Sequence, residues 1–154
     1  MDFTIIDRAF DGRTNCVSII IKLKLQDYAV IIKKAFENNG NIDGQRGVIS
    51  RSSSAVRIRD RMNKDFSAGA IFPPVVLGLL TEDEKYEELK SLEKETLPGK
   101  LLEYMAEKDF SGVSIVDGMQ RSNVYLNQIR NNEDREIRVE IWVASNIVKL
   151  LYRM

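Results

Sequence analysis

The junction whose residue types and spacing could do chemistry is Ser114-Ile115-Val116-Asp117-Gly118-Met119-Gln120-Arg121-Ser122-Asn123. An apolar stretch runs into Asp-Gly and opens what reads as a helix. The unpaired backbone N–H groups of a helix N-terminus, together with its dipole, attract anions. Gly118 has no side chain to keep a ligand off the backbone. Arg121 carries a planar fork that grips phosphate oxygens two at a time. Gln120 both donates and accepts. Three tasks suit Asp117: holding Arg121, holding a ribose hydroxyl, or reaching Mg²⁺ through water. The chemistry in question is phosphate binding, with Gly118, Gln120 and Arg121 as ligands and Asp117 and Gln120 as the candidates for a catalytic part. The plainer reading of the same residues is a turn and N-cap, with Arg121 a surface residue.

A second feature is basic. Between Gly44 and Lys64 stand Arg46, Arg51, Arg57, Arg59, Arg61 and Lys64 against one acid, Asp60. Between Thr81 and Lys108 nine acids face five lysines. Arg57 and Arg61 fall at i and i+4 on one helix face, where arginines suit phosphate contacts to nucleic acid. The alternative is a solvated face that pairs with the acidic segment. Cys16 reads as a small core or edge residue, Trp142 as packing under a helix, and the carboxylates of Glu82–Glu88 as a charged helix face.

The elements that must position these residues alternate between strand and helix. Phe3–Ile6 predicts a short strand, followed by an Asp11-Gly12-Arg13 turn. Val17, Ile19, Ile21, Leu23 and Leu25 at every second position predict a strand with one wet face. Tyr28, Ile31, Ile32, Ala35 and Phe36 mark one stripe of an amphipathic helix, ended by Asn38-Asn39-Gly40. A polar loop over Asn39–Ser54 follows, whose serines can cap a helix with Ala55, Ile58, Met62 and Phe66 on its buried face. Ile71–Leu77 reads as a buried strand entered through Pro73-Pro74. Thr81–Lys108 reads as two helices broken at Pro98-Gly99. Val113–Val116 is apolar on both faces and is expected in the interior of the sheet. Gln120–Arg130 reads as a helix and Ile137–Val143 as a strand. Ser145 is the expected cap of a last helix over Asn146–Met154. That helix ends in mid-pattern, which fits either a docked terminus or the N-terminal part of a longer chain.

Composition narrows the classes. A chain of 154 residues, 44% hydrophobic and 30% charged, fits one globular domain. Lys+Arg and Asp+Glu are 23 each, so no global basic charge points to nucleic acid. The absence of histidine excludes Ser-His-Asp and Cys-His triads and HExxH zinc sites. A single cysteine excludes an internal disulfide and cysteine metal clusters. No apolar run approaches a membrane span and the N-terminus lacks signal-peptide features, so a cytoplasmic protein without a membrane partner is expected. The whole reads as one α/β domain over 1–154, with a mixed sheet flanked by helices.

Strand-Asp-Gly-x-Gln-Arg-helix resembles the signature of the DGQHR-domain family, which includes DndB-like regulators of DNA phosphorothioation and is similar to the wider ParB/sulfiredoxin superfamily. The Asp-Gly-Gln-Gln-Arg motif of GmrSD-type restriction enzymes is similar too. Phe72-Pro73-Pro74-Val75-Val76 looks like the family strand before the motif, and Ile137–Val143 like the strand after its helix. The likeness spans roughly residues 45–145. Asp117, Gly118, Gln120 and Arg121 match the motif. Met119 stands where the family has Gln and where sulfiredoxin has its nucleophilic Cys, so sulfiredoxin chemistry is out. The resemblance implies a ParB/sulfiredoxin-like fold and a bound NTP, with or without Mg²⁺ and hydrolysis. It also implies that Arg46 or Arg51 approaches Arg121, and a role in DNA modification or phage defence. Its non-enzymatic alternative is a DndB-like DNA-binding or regulatory module. DNA is the macromolecular partner the resemblance implies, and the choice between DNA and RNA and the oligomeric state are left open.

Overall fold

Alternating side chains build the centre of the molecule. The computed structural model describes residues 1–38 and 52–152. In β2 (Cys16–Lys24) and β5 (Glu136–Ala144) every second residue is buried on one face. The two strands pair antiparallel, with Ile19 opposite Ile141 and Ile21 opposite Val139. β1 (Phe3–Asp11) pairs antiparallel with the outer side of β2. It runs beyond the expected Phe3–Ile6 because its ladder continues down to the turn. There the Asp11 carboxylate accepts from Arg13 N at 2.9 Å and from Thr14 Oγ1 at 2.9 Å. β3 (Val75–Leu80) lies parallel to β5, and β4 (Val113–Asp117) antiparallel to β3. The result is a mixed five-stranded sheet in the order β1-β2-β5-β3-β4, in a single α/β domain as expected.

Two strand expectations are corrected. β4 stands at the edge of the sheet, not inside it. Its first four residues are nevertheless buried. Val113 and Ile115 enter the main core, on which α1 (Leu25–Glu37) packs, and Ser114 and Val116 lie against Gly78. Covered faces make an edge strand read like an interior one. β3 starts at Val75 and not at Ile71, which is 80% exposed. Pro73 and Pro74 have no N–H to give to a ladder.

The helices differ in detail from the pattern. α1 starts at Leu25, directly on the end of β2, because Leu25 N and Gln26 N donate to the carbonyls of Arg135 and Glu133. α2 (Ser53–Ser67) is capped by Ser52, whose Oγ accepts from Ala55 N at 3.3 Å. Its inner stripe is Ala55, Arg59, Met62, Asn63 and Phe66, while Ile58 is 56% exposed, against expectation. α3 (Asp83–Ser91) and α4 (Leu97–Ala106) are the two expected helices. The break falls between them, and Pro98 opens α4, where its missing N–H is harmless. α5 (Met119–Gln128) continues into a 3₁₀ turn, Ile129–Asn131. α6 (Ile147–Leu151) is capped by Asn146, whose Oδ1 accepts from Val148 N at 2.7 Å, and not by Ser145.

One hydrophobic cluster joins the inner face of the sheet to α1 and to Phe66, Tyr86, Leu101, Val124 and Tyr125 of the later helices. Cys16, Ala144 and Leu150 form a smaller cluster on the opposite face, with Trp142 partly buried against it. Leu150 reaches the sheet at Gly78, where a Cβ would come within 2.8 Å of its Cδ1. Among the described residues no helix is long and apolar enough to cross a membrane.

Candidate functional site

β4 delivers its last residue, Asp117, to the start of α5 through Gly118, which sits at φ +104° and ψ +24°. That is left-handed territory in which glycine is at ease. The Gly118 carbonyl accepts from Ser122 N at 2.8 Å and from Ser122 Oγ at 3.0 Å. The Ser122 hydroxyl also shares a 2.6 Å hydrogen bond with the Tyr28 hydroxyl, so the first turn of α5 is pinned to α1. Burial pushes the Tyr28 phenol well above its ordinary value, which keeps that hydroxyl protonated.

Arg121 turns back on the junction. Its Nη2 donates to Asp117 Oδ2 at 2.6 Å, with side-chain exposures of 16% for the arginine and 71% for the aspartate. A Cβ on Gly118 would come within 3.0 Å of Arg121 Nε and Nη2 and 3.1 Å of Val75 Cγ1. The space that glycine leaves is therefore filled by the guanidinium. Of the tasks that suit Asp117, holding Arg121 is the one the structure shows. The reading of Arg121 as a surface residue is corrected: most of its side chain is covered, because Gly118 gives it a bed to lie in.

Gln120 faces α2. Its Oε1 accepts from Arg59 Nη1 at 3.4 Å. Further along the same contact, Gln128 Nε2 donates to Asn63 Oδ1 at 3.3 Å and Ser67 Oγ to Gln128 Oε1 at 3.1 Å. Arg59 is thus an arginine that the fold brings to the motif, and sequence reasoning counted it only within the basic cluster. The available signal was its spacing from Met62, Asn63 and Phe66. It was hidden because the α2–α5 contact is partly polar and Ile58 made a more apolar face. Arg46 and Arg51, expected near Arg121, lie outside the described residues, as does most of the expected Asn39–Ser54 loop.

Arg57 and Arg61 are exposed, as their spacing predicted; Arg61 Nε lies 3.9 Å from Asp65 Oδ2. The acidic segment pairs with its own lysines, Lys85 with Glu107 at 2.7 Å and Lys100 with Glu103 at 3.2 Å. Cys16 is buried, its Sγ 3.7 Å from the Thr14 carbonyl. Among the described residues no group of three or more Asp, Glu or Cys side chains is placed to hold a metal ion.

This arrangement can take an anion. The Arg121 guanidinium lies beside a helix N-terminus that has no side-chain cap, and Arg59 of α2 bonds Gln120 in the first turn. The carboxylate now on Arg121 is mostly in water, so a phosphate could displace it with little desolvation. Comparison with protein-family models, with curated proteins and with solved structures found no match to this chain.

Proposed function

We propose that the β4–α5 junction binds the phosphates of a nucleotide, in a ParB/sulfiredoxin-like domain that acts in DNA modification or phage defence in the cytoplasm. The observation that carries this reading is Arg121 lying against Gly118 at the uncapped start of α5, with Arg59 reaching the next residue of the motif, Gln120. In the bound state Arg121 exchanges Asp117 for a phosphate oxygen, and the α5 amides supply neutral donors. An NTP with Mg²⁺ is the ligand the resemblance points to. Asp117 is exposed, and so open to a metal-bound water. Met119 offers no nucleophile, and in hydrolysis Gln120 would orient the water.

The second reading is a non-enzymatic, DndB-like DNA-binding module. It is favoured by the exposed Arg57 and Arg61 on α2. A thermal-shift screen of the four NTPs, with and without Mg²⁺, tests the first reading. A true ligand at ~100 times its dissociation constant adds about 2.7 kcal/mol of stability. No stabilisation by any NTP, together with salt-dependent DNA binding lost in Arg57→Ala/Arg61→Ala, would favour the second.

A further inference from the structure

Three strands end together beside the β4–α5 junction. Asp117 lies opposite Val76 and Val75 opposite Val139, so the carboxyl end of β4 and the amino ends of β3 and β5 share one end of the sheet. β5 begins earlier than β3 there. Glu136–Arg138 pair with β2 on one side and have no residue of β3 opposite them on the other, because Pro73 and Pro74 cannot extend the ladder. The notch holds a cavity of about 210 Å³ lined by Ile71, Phe72, Tyr125, Ile137 and Arg138, among others. That is smaller than the roughly 300–1,000 Å³ of whole small-molecule sites and suits one ring system.

Two observations give the notch its chemistry. The first is Tyr125, which lines the cavity and is only 2% exposed. Its hydroxyl has no hydrogen-bond partner among the described residues, and it is not sealed from solvent as the Thr81 hydroxyl is. A polar tip on a buried ring, open to a cavity, is set to bond what fills that cavity. The second is the wall. The Phe72 and Tyr125 rings lie 27° from parallel, with centroids 6.0 Å apart. Arg135 fixes the side behind them, lying 3.7 Å from the centre of the Phe66 ring and donating to the Phe66 and Ala70 carbonyls. Ile71 adds an apolar side chain that is 80% exposed. Flat heteroaromatic rings stack on such surfaces.

The notch is also within reach of Gly118. In the sheet β4 and β5 are two strand spacings apart, about 10 Å. Tyr125 follows Arg121 by one turn of α5, about 6 Å. Burial pushes the Tyr125 phenol up, and Arg121, Arg135 and Arg138 pull it back, so the charge beside Gly118 is felt at the Tyr125 hydroxyl. We propose that the notch seats the base of the nucleotide whose phosphates Gly118 and Arg121 bind. The base lies against Phe72 and Ile71, and the Tyr125 hydroxyl bonds its edge. The inference rests on the phosphate reading and adds the other end of the ligand.

The test titrates the ¹⁵N-labelled whole chain, in Mg²⁺, with inorganic tripolyphosphate, with the four nucleosides and with the four NTPs. Tripolyphosphate should move the amides of Gly118–Arg121 and leave those of Phe72, Ile137 and Arg138 still. At least one nucleoside should do the reverse, and its NTP should move both sets and bind more tightly than either part. Tyr125→Phe should melt no lower than the wild type, since the hydroxyl bonds nothing in the described chain. It should bind that NTP about tenfold more weakly, with tripolyphosphate affinity unchanged. Ile71→Ala, at an exposed position, should weaken the NTP roughly fivefold and serves if Tyr125→Phe does not fold. If tripolyphosphate moves Gly118 while no nucleoside or NTP moves the notch, the base subsite is overturned and the phosphate reading stands. Unchanged NTP affinity in both variants has the same meaning. No response at Gly118 to tripolyphosphate or to any NTP would overturn the phosphate reading and the base subsite with it.

Discussion

At the carboxyl end of β4, charge meets charge inside the chain. Asp117 holds Arg121, Arg121 fills the space above Gly118, and Ser122 and Tyr28 pin the helix that follows. Beyond the amino end of the same strand, around Gly112, the Thr81 hydroxyl oxygen has no hydrogen-bond partner among the described residues, Lys85 pairs with Glu107, and Lys108, Asp109 and Phe110 are left-handed. The difference is one of assembly. The Asp117 end is built from neighbours four residues apart, so its groups satisfy one another locally. The Thr81 end is built from the termini of separate elements, so its polar groups meet across a gap that the chain does not fill. A self-satisfied site must exchange a partner to bind a ligand.

That contrast can be broken in three places, taken from the largest effect to the smallest. Gly118→Ala puts a side chain at φ +104° and into the guanidinium, so it should lose about 1–3 kcal/mol in urea unfolding. A loss near zero would mean that Arg121 does not rest on Gly118. Tyr28→Phe removes one hydrogen bond from Ser122, which keeps its bond to the Gly118 carbonyl. It should cost about 1 kcal/mol, with anion binding at α5 weakened in step. Unchanged stability would sever the pinning of α5 to α1.

The smallest effect is a titration of Tyr104, at the Thr81 end. The Tyr104 hydroxyl donates to the Glu88 carboxylate, and that bond, with burial second, pushes the Tyr104 phenol up to about 12. A raised folded value means that the stabilisation is complete below the ordinary phenol range, near 10, and is lost as pH climbs toward 12. Tyrosinate absorbance should show the Tyr104 transition moving down in Glu88→Gln. A transition that stays in place would remove Glu88 as the cause.

Much of the fold was legible because its signals are local. The alternation in Val17–Leu23 and Ile137–Val143 and the stripe in Tyr28–Phe36 each record one buried face. Strand order was not legible: nothing in Val113–Val116 says that helices and Leu150, and not further strands, cover it. The face of α2 was misread because Arg59 and Asn63 face α5 through hydrogen bonds, while Ile58 lies exposed. The Asp117–Arg121 pair was visible as one option among three. The unpartnered Thr81 hydroxyl was invisible, since an orphaned hydroxyl is a fact about what is not nearby in space.

The central claim is the phosphate site, and the amide spectrum of the β4–α5 junction tests it most directly. In ¹⁵N-labelled protein titrated with each NTP and Mg²⁺, the amides of Gly118, Met119, Gln120 and Arg121 should move together and saturate for at least one nucleotide. The amides around Thr81 should stay still. In Arg121→Ala the same four should not respond, while dispersion elsewhere shows that the chain remains folded. Absence of movement at these amides with every NTP, or an identical saturating response in Arg121→Ala, would contradict the account.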